Sequence, residues 1–279
     1  MSTVTAIPLT YLFVPGNRPE RFAKAQASGA DRIIIDLEDA VAPADKALAR
    51  DAIAVWMGGA GAVRDRVLIR INDDSTPWYA DDLALIEAMQ ANCVMLPKCE
   101  TATQVTDVLQ RMPADATVLP LIETARGVMA LREIASAPGV VRLGFGSLDY
   151  MVDLDIPTGS LALEYAAAQI AIASRAAGIA SPVAGVTPDL DAARVTADMM
   201  QARALGFGAK LCIHPSQVAA VQAALTPTAA ELSWAQRVLQ VWSTSNGGAI
   251  QLDGKMVDRP VILKAERIVA QAAHSGPSI

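Results

Sequence analysis

LTYLFVPGNRPERFAKAQASGADRIIIDLEDAV, residues 9–41, decides between two ways of folding this chain. LTYLFV (9–14) and RIIIDL (32–37) are apolar at consecutive positions, as expected for parallel strands covered on both faces. PERFAKAQAS between them reads as a helix. Such a unit opens either a doubly wound sheet or a closed barrel. The open dinucleotide-binding sheet carries GxGxxG after its first strand, whereas the turn here is PGNRPER.

Outward from that unit the alternation continues. Strand-like runs follow at RVLIRI (66–71), CVMLP (93–97), TVLPLIE (117–123), VVRLGFG (140–146), SPVAGV (181–186) and AKLCIH (209–214). Helical stretches such as PADKALARDAIAVWM and LEYAAAQIAIASRAAG separate them. Eight alternations predict an α/β fold, a (β/α)8 TIM barrel over residues 1–225, with a C-terminal helical and loop extension over 226–279. In the extension, TAAELSWAQRVLQVWS and VILKAERIVAQAA read as helices. The intervening 244–260 segment holds the turn pairs Gly247-Gly248 and Asp253-Gly254.

The totals restrict the chemistry. Twenty-three basic against 29 acidic residues among 279 leave a net charge of -6, which argues against a nucleic-acid or anionic-membrane surface. Three cysteines without a CxxC pair suit a reducing cytoplasm, and two histidines exclude a three-histidine zinc site. MSTVTAIPLT has no basic start or apolar run of a signal peptide, and the charge-free window 211–230 is broken by two prolines and polar side chains. A cytoplasmic enzyme would have to work with carboxylates, Arg, Lys and backbone amides.

Barrel enzymes place their sites at the C-terminal strand ends. Polar residues there are Asn17, Arg18, Asp36, Glu38, Asp39, Arg70, Asn72, Lys98, Glu123, Ser147, Asp149 and His214. Glu123 and Asp149 follow adjacent strands, and two carboxylates with no soft ligand nearby suit Mg²⁺ or Mn²⁺. The plainer alternative has Glu123 capping a helix and Asp149 paired with a base. Arg70 lies inside an apolar strand and needs a partner: a substrate carboxylate, or an ion pair with Asp36 or Glu38. The two glycines of GFGSLD (144–149) free backbone amides for an anion. Asp36 and Glu38 support the metal ligands from behind, or Asp39 caps the next helix. His214 reads as a positioned loop residue, and Cys93, Cys99 and Cys212 as small residues in or near the core.

The stretches LFVPGNRPERFAKA, DRIIIDLEDAV, LIRIN, VMLPK, LIETARGV, GFGSLDYMVDL and CIHPSQV, in this order, resemble the citrate lyase β-subunit-like (CitE-like) family of the HpcH/HpaI aldolase superfamily. The resemblance implies a Mg²⁺-dependent lyase that breaks or forms a carbon–carbon bond in a β-hydroxyacyl-CoA thioester, such as citramalyl-CoA or malyl-CoA, giving a 2-keto acid and acyl-CoA. By matching motif, Glu123 and Asp149 would hold the metal and Arg70 the keto-acid end. Gly146 and Ser147 would line the same subsite, and Asn17 and Arg18 would approach the coenzyme A portion. LDGKMVDRPVILKAERI (252–268) is similar to the end of malyl- and citramalyl-CoA lyases, which implies that Asp258 is an acid/base reaching a neighbouring subunit of a homotrimer or hexamer. Read without that resemblance, Asp258 is a helix cap before Pro260. Alternatives within the family are a citryl-acyl-carrier-protein lyase subunit and a malyl-CoA thioesterase. An anionic thioester substrate further leads us to expect a local basic patch at the strand-end face.

Overall fold

The computed structural model describes residues 7–243 and 250–274. Residues Ile7–Ala224 form one compact unit, and Leu225 onward belongs to another. In the first unit eight parallel strands close into a barrel in sequential order. They are β1 Thr10–Pro15, β2 Arg32–Asp36, β3 Val67–Arg70, β4 Cys93–Leu96, β5 Thr117–Ile122, β6 Gly144–Phe145, β7 Val183–Ala184 and β8 Ala209–Cys212. Closure is made by Thr10–Leu12 of β1 against Lys210–Cys212 of β8. Alternate side chains fill the interior: Tyr11, Ile34, Leu68, Met95, Leu119, Leu121, Val183, Ala209 and Leu211 form its packed core. The side chains between them face the surrounding helices, which is why Ile33, Ile34 and Ile35 are all fully buried.

The strands follow the expected positions, and two are much shorter than their apolar runs. β6 and β7 keep two residues each of the runs 140–146 and 181–186. Pro182 has no N–H to give to a ladder. The Arg142 guanidinium instead binds the Ser181 carbonyl, and Val140 retains only an isolated bridge to Val118. Two helices lie where the sequence reading placed none, Ser147–Asp153 and Val218–Leu225. The first corrects the strand-end placement of Asp149: it stands in the first turn of a helix, a position that favours an acid. His214 caps the short turn Pro215–Gln217, its Nδ1 paired with the Ser216 hydroxyl at 2.8 Å. The three cysteines are free, and burial pushes Cys99 and Cys212 up to about 12, so both are inert thiols.

In the second unit, helices Ala229–Ser243 and Arg259–His274 pack around Ala235, Val238, Val257, Ile262 and Ala265. Between them an antiparallel hairpin, Ile250–Leu252 with Lys255–Val257, turns at Asp253-Gly254, both with positive φ. The Gly247-Gly248 pair lies outside the described residues. Among the described residues no helix is long and apolar enough to cross a membrane.

Candidate active site

Parallel registry brings the site together. Asp36 at the end of β2 stands opposite Arg70 at the end of β3. The guanidinium meets it side-on, with Nε 2.7 Å from Oδ1 and Nη2 2.6 Å from Oδ2. Nη1 lies 2.9 Å from Glu38 Oε2, and the Phe13 ring covers the plane 4.7 Å from Cζ. Burial alone would lower this arginine, but Asp36 and then Glu38 hold it well above its ordinary value, permanently charged. The ion pair with Asp36 and Glu38 is therefore present. Asp36 takes the Nε/Nη2 edge by hydrogen bonds, whereas Glu38 meets Nη1 by charge alone, without a hydrogen bond. Asp36 also accepts the Glu38 and Ala40 amides at 2.9 and 3.0 Å, so the DLEDAV turn is wound around it. Asp39 does not cap the next helix; its carboxylate is exposed, 3.9 Å from Arg70 Nη1.

Behind that turn, Lys46 is buried and its ammonium donates to the Leu37 and Glu38 carbonyls and to Asn72 Oδ1, at 2.6 to 2.7 Å. Asn72 in turn donates to Asp82 Oδ2 at 2.7 Å. Every donor of that ammonium is used, which fixes the backbone on which Glu38 is carried.

Glu123 leaves the end of β5 only 1% exposed. One oxygen accepts the Lys98 amide at 2.6 Å, and the other packs against Gly146. A side chain at Gly146 would put its Cβ 2.6 Å from Glu123 Cβ, so this glycine is required by close approach. Burial first, then the charges of Glu38 and Asp149, push the Glu123 carboxyl up to about 8. Burial also raises Glu38, against the pull of Arg70 and Lys98. The amide of Gly146 is not free for an anion, because it donates to the Ile122 carbonyl at 2.9 Å; the glycine contributes space instead.

One cavity of about 390 Å³ at the C-terminal strand ends joins these groups. Its polar wall carries Asp36, Asp39, Arg70, Glu123, Ser147 and Asp149, facing an apolar wall that includes Phe13, Leu121, Phe145 and Leu211. Four acids and one arginine make this lining acidic, so the basic patch expected on the strand-end face does not lie within the cavity. Of the sequence candidates, Arg70, Glu123, Asp149, Gly146, Ser147 and Asp36 share the cavity, and Glu38 stands behind it. Asn17 and Arg18 do not line it: Asn17 binds Asp45 at 3.0 Å, and Arg18, 47% exposed at its side chain, pairs with Glu20. Asp258 opens the last helix of the second unit, its carboxylate 3.4 Å from the Val261 amide.

Two buried or half-buried carboxylates on one wall, without sulfur or imidazole in the lining, are the donor set of a hard divalent cation. Among the described residues no three His, Cys, Asp or Glu side chains converge as a closed cage. The pair therefore fits an ion that keeps positions open to water and substrate. A desolvated carboxylate held near pH 8 is a group whose charge is completed by such an ion. By sequence Lys98 is only a strand-end polar residue; its joint contact with Glu123 and Glu38 depends on chain crossings that no local pattern encodes.

The sequence profile of the HpcH/HpaI aldolase/citrate lyase family matches residues 9–215. A citrate lyase subunit beta-like protein of Deinococcus radiodurans is 35% identical over 291 residues, spanning 98% of this chain and all of that one. A (3S)-malyl-CoA thioesterase of Cereibacter sphaeroides is 32% identical, over 94% of this chain and 93% of that one. Among solved structures, CitE of Mycobacterium tuberculosis in complex with magnesium, acetoacetate and coenzyme A superposes with a TM-score of 0.85 at 36% identity, covering 96% and 99% of the two chains. A barrel with this strand-end cavity and a family profile spanning all eight strands lead to one conclusion: the chain is an enzyme of the HpcH/HpaI aldolase/citrate lyase family.

Proposed function

We propose that the enzyme is a Mg²⁺-dependent carbon–carbon lyase that cleaves, or in reverse forms, a β-hydroxyacyl-CoA thioester of the citramalyl- or malyl-CoA type, giving a 2-keto acid and acyl-CoA. The observation that carries this reading is the sharing of one cavity by Glu123, Asp149 and an arginine whose Nε/Nη2 edge is fixed by Asp36. The magnesium-, acetoacetate- and coenzyme A-bound relative supports the cofactor and substrate class.

Glu123 and Asp149 would hold Mg²⁺ or Mn²⁺. The chemistry supplied by the bound ion is Lewis acidity toward the substrate hydroxyl and keto-acid oxygens. Arg70 binds the carboxylate of the keto-acid portion through its outer N–H pair, while Asp36 and the Phe13 ring fix its plane. That two-point grip orients the scissile carbon–carbon bond. Leu121, Phe145 and Leu211 keep water from the reacting carbons. Asp258, supplied by a neighbouring subunit of a homotrimer or hexamer, takes the β-hydroxyl proton as the bond breaks and returns a proton to the acyl carbon. A single guanidinium in the cavity matches one substrate carboxylate. This favours the malyl and citramalyl classes over a citryl thioester, whose keto-acid product carries two.

The test is a coupled assay of purified protein with Mg²⁺ and malyl-, citramalyl-, citryl- and hydroxymethylglutaryl-CoA. Equal release of keto acid and acyl-CoA is expected from one of the first two. Free coenzyme A with no keto acid would establish the thioesterase reading that the Cereibacter relative raises. No turnover on any of the four would overturn the free-thioester reading and point to delivery by an acyl carrier protein.

A further inference from the structure

Lys98, directly after β4 and Pro97, holds φ at +44°, a left-handed conformation that a residue with a side chain rarely adopts. In that conformation its amide reaches Glu123 Oε1 at 2.6 Å, while its ammonium contacts Glu38 Oε1 across 60 residues of sequence. Glu38 is 5% exposed, and its other oxygen faces Arg70 Nη1 at 2.9 Å without a hydrogen bond. Among the described residues that Oε2 is the buried side-chain oxygen left without one. Glu123, Lys98, Glu38, Arg70 and Asp36 thus form an unbroken chain from the carboxylate pair to the guanidinium. Asp36 and Glu38 contribute two negative charges and Arg70 and Lys98 two positive ones. These four side chains balance one another only while the Lys98 ammonium is present.

We propose that Lys98 is a positioning residue that serves both ends of this site. Its amide aims Glu123, and its ammonium balances Glu38 so that Arg70 keeps its outer fork and charge for a substrate carboxylate. The inference rests on the assignment of Arg70 to the keto acid. It makes opposite demands on anion and cation. Without the ammonium, Glu38 is an unbalanced charge behind Arg70, which repels a keto acid and attracts a metal ion. A merely structural lysine would weaken both ligands together.

Isothermal titration with two probes separates these outcomes: Mg²⁺ alone, and pyruvate in saturating Mg²⁺. Lys98→Met is expected to bind pyruvate on the order of a hundredfold more weakly, as one uncompensated charge ~6 Å away at an effective dielectric of ~20 would cause. Its Mg²⁺ affinity is expected to be unchanged or tighter, and Lys98→Arg to keep both. Combining Lys98→Met with Glu38→Gln restores neutrality and should return pyruvate binding to within about threefold of wild type, which a lost structural contact would not do. Should Lys98→Met fail to fold, Glu38→Gln alone must give the mirror image, weaker Mg²⁺ binding with pyruvate binding no weaker. Wild-type pyruvate binding in Lys98→Met, or a double variant no better than the single one, overturns the proposal and leaves the lyase reading intact. Absence of pyruvate binding by the wild type would instead remove Arg70 from substrate binding, and the proposal with it.

Discussion

Chelating divalent cations and raising the pH from 5.5 to 8.5 should destabilise the barrel chiefly through one side chain, Glu123. Its carboxyl is raised from an ordinary 4.5 to about 8, chiefly by burial. A carboxyl with a raised folded value keeps a proton that the unfolded chain has already released. That stabilisation is full below the unfolded value and is lost as pH climbs through the folded one. Over the whole interval the loss is about 5 kcal/mol, at ~1.36 kcal/mol per pH unit, and about 3 kcal/mol falls between pH 5.5 and 8. Glu38, raised by burial as well, acts in the same direction. For a domain of this size ~3 kcal/mol is roughly 6–12 °C in Tm. Differential scanning calorimetry in EDTA at the two pH values measures it. Mg²⁺ at about 100 times its Kd should recover about 2.7 kcal/mol at pH 8.5. Glu123→Gln, which cannot ionise, should keep only the part of the slope that Glu38 contributes. Wild-type melting within about 2 °C at the two pH values, or the same slope in Glu123→Gln, would refute the reasoning.

Three further outcomes follow from the same geometry. Gly146→Ala places a methyl 2.6 Å from Glu123 Cβ and must turn that carboxylate off the Lys98 amide, so Mg²⁺ affinity by calorimetry should fall about 10–100-fold while circular dichroism stays native. Arg70→Lys substitutes a point charge for a planar fork that holds Asp36 on one edge and, in the proposed mechanism, substrate on the other; kcat/KM should fall roughly 10²–10³-fold, and an effect below about threefold would argue against the substrate grip. Asp258→Asn should bind Mg²⁺ and keto acid like wild type and lose most turnover, and unchanged turnover would take Asp258 out of the mechanism.

The barrel was legible because its first five strands are runs buried on both faces, as at Ile33–Ile35 and Val118–Ile122, where consecutive apolar residues admit few other uses. The same rule overextended β6 and β7, since apolar character does not show that Pro182 breaks the ladder or that Arg142 spends its donors on carbonyls. GFGSLD looked like an amide-rich turn because it is glycine-rich. A buried Tyr150 three residues beyond Ser147 is the faint helical signal that was available there. Candidate acids and Arg70 were legible as polar residues ending apolar runs, a placement that only a strand-end cavity rewards.

What the sequence determines by itself is the inventory and its order: eight strand–helix units, hard-oxygen donors in place of histidine clusters, and an arginine in an apolar strand that has to be partnered. Which partners meet is settled in three dimensions. Asp36 faces Arg70 because parallel registry sets β2 against β3, and Lys98 reaches Glu38 because the closed barrel brings residues 60 positions apart to one rim. The acidic lining has the same origin. Net charge sums over the whole surface, whereas the cavity samples only those side chains that the strand ends turn inward, and here those are four acids around one arginine.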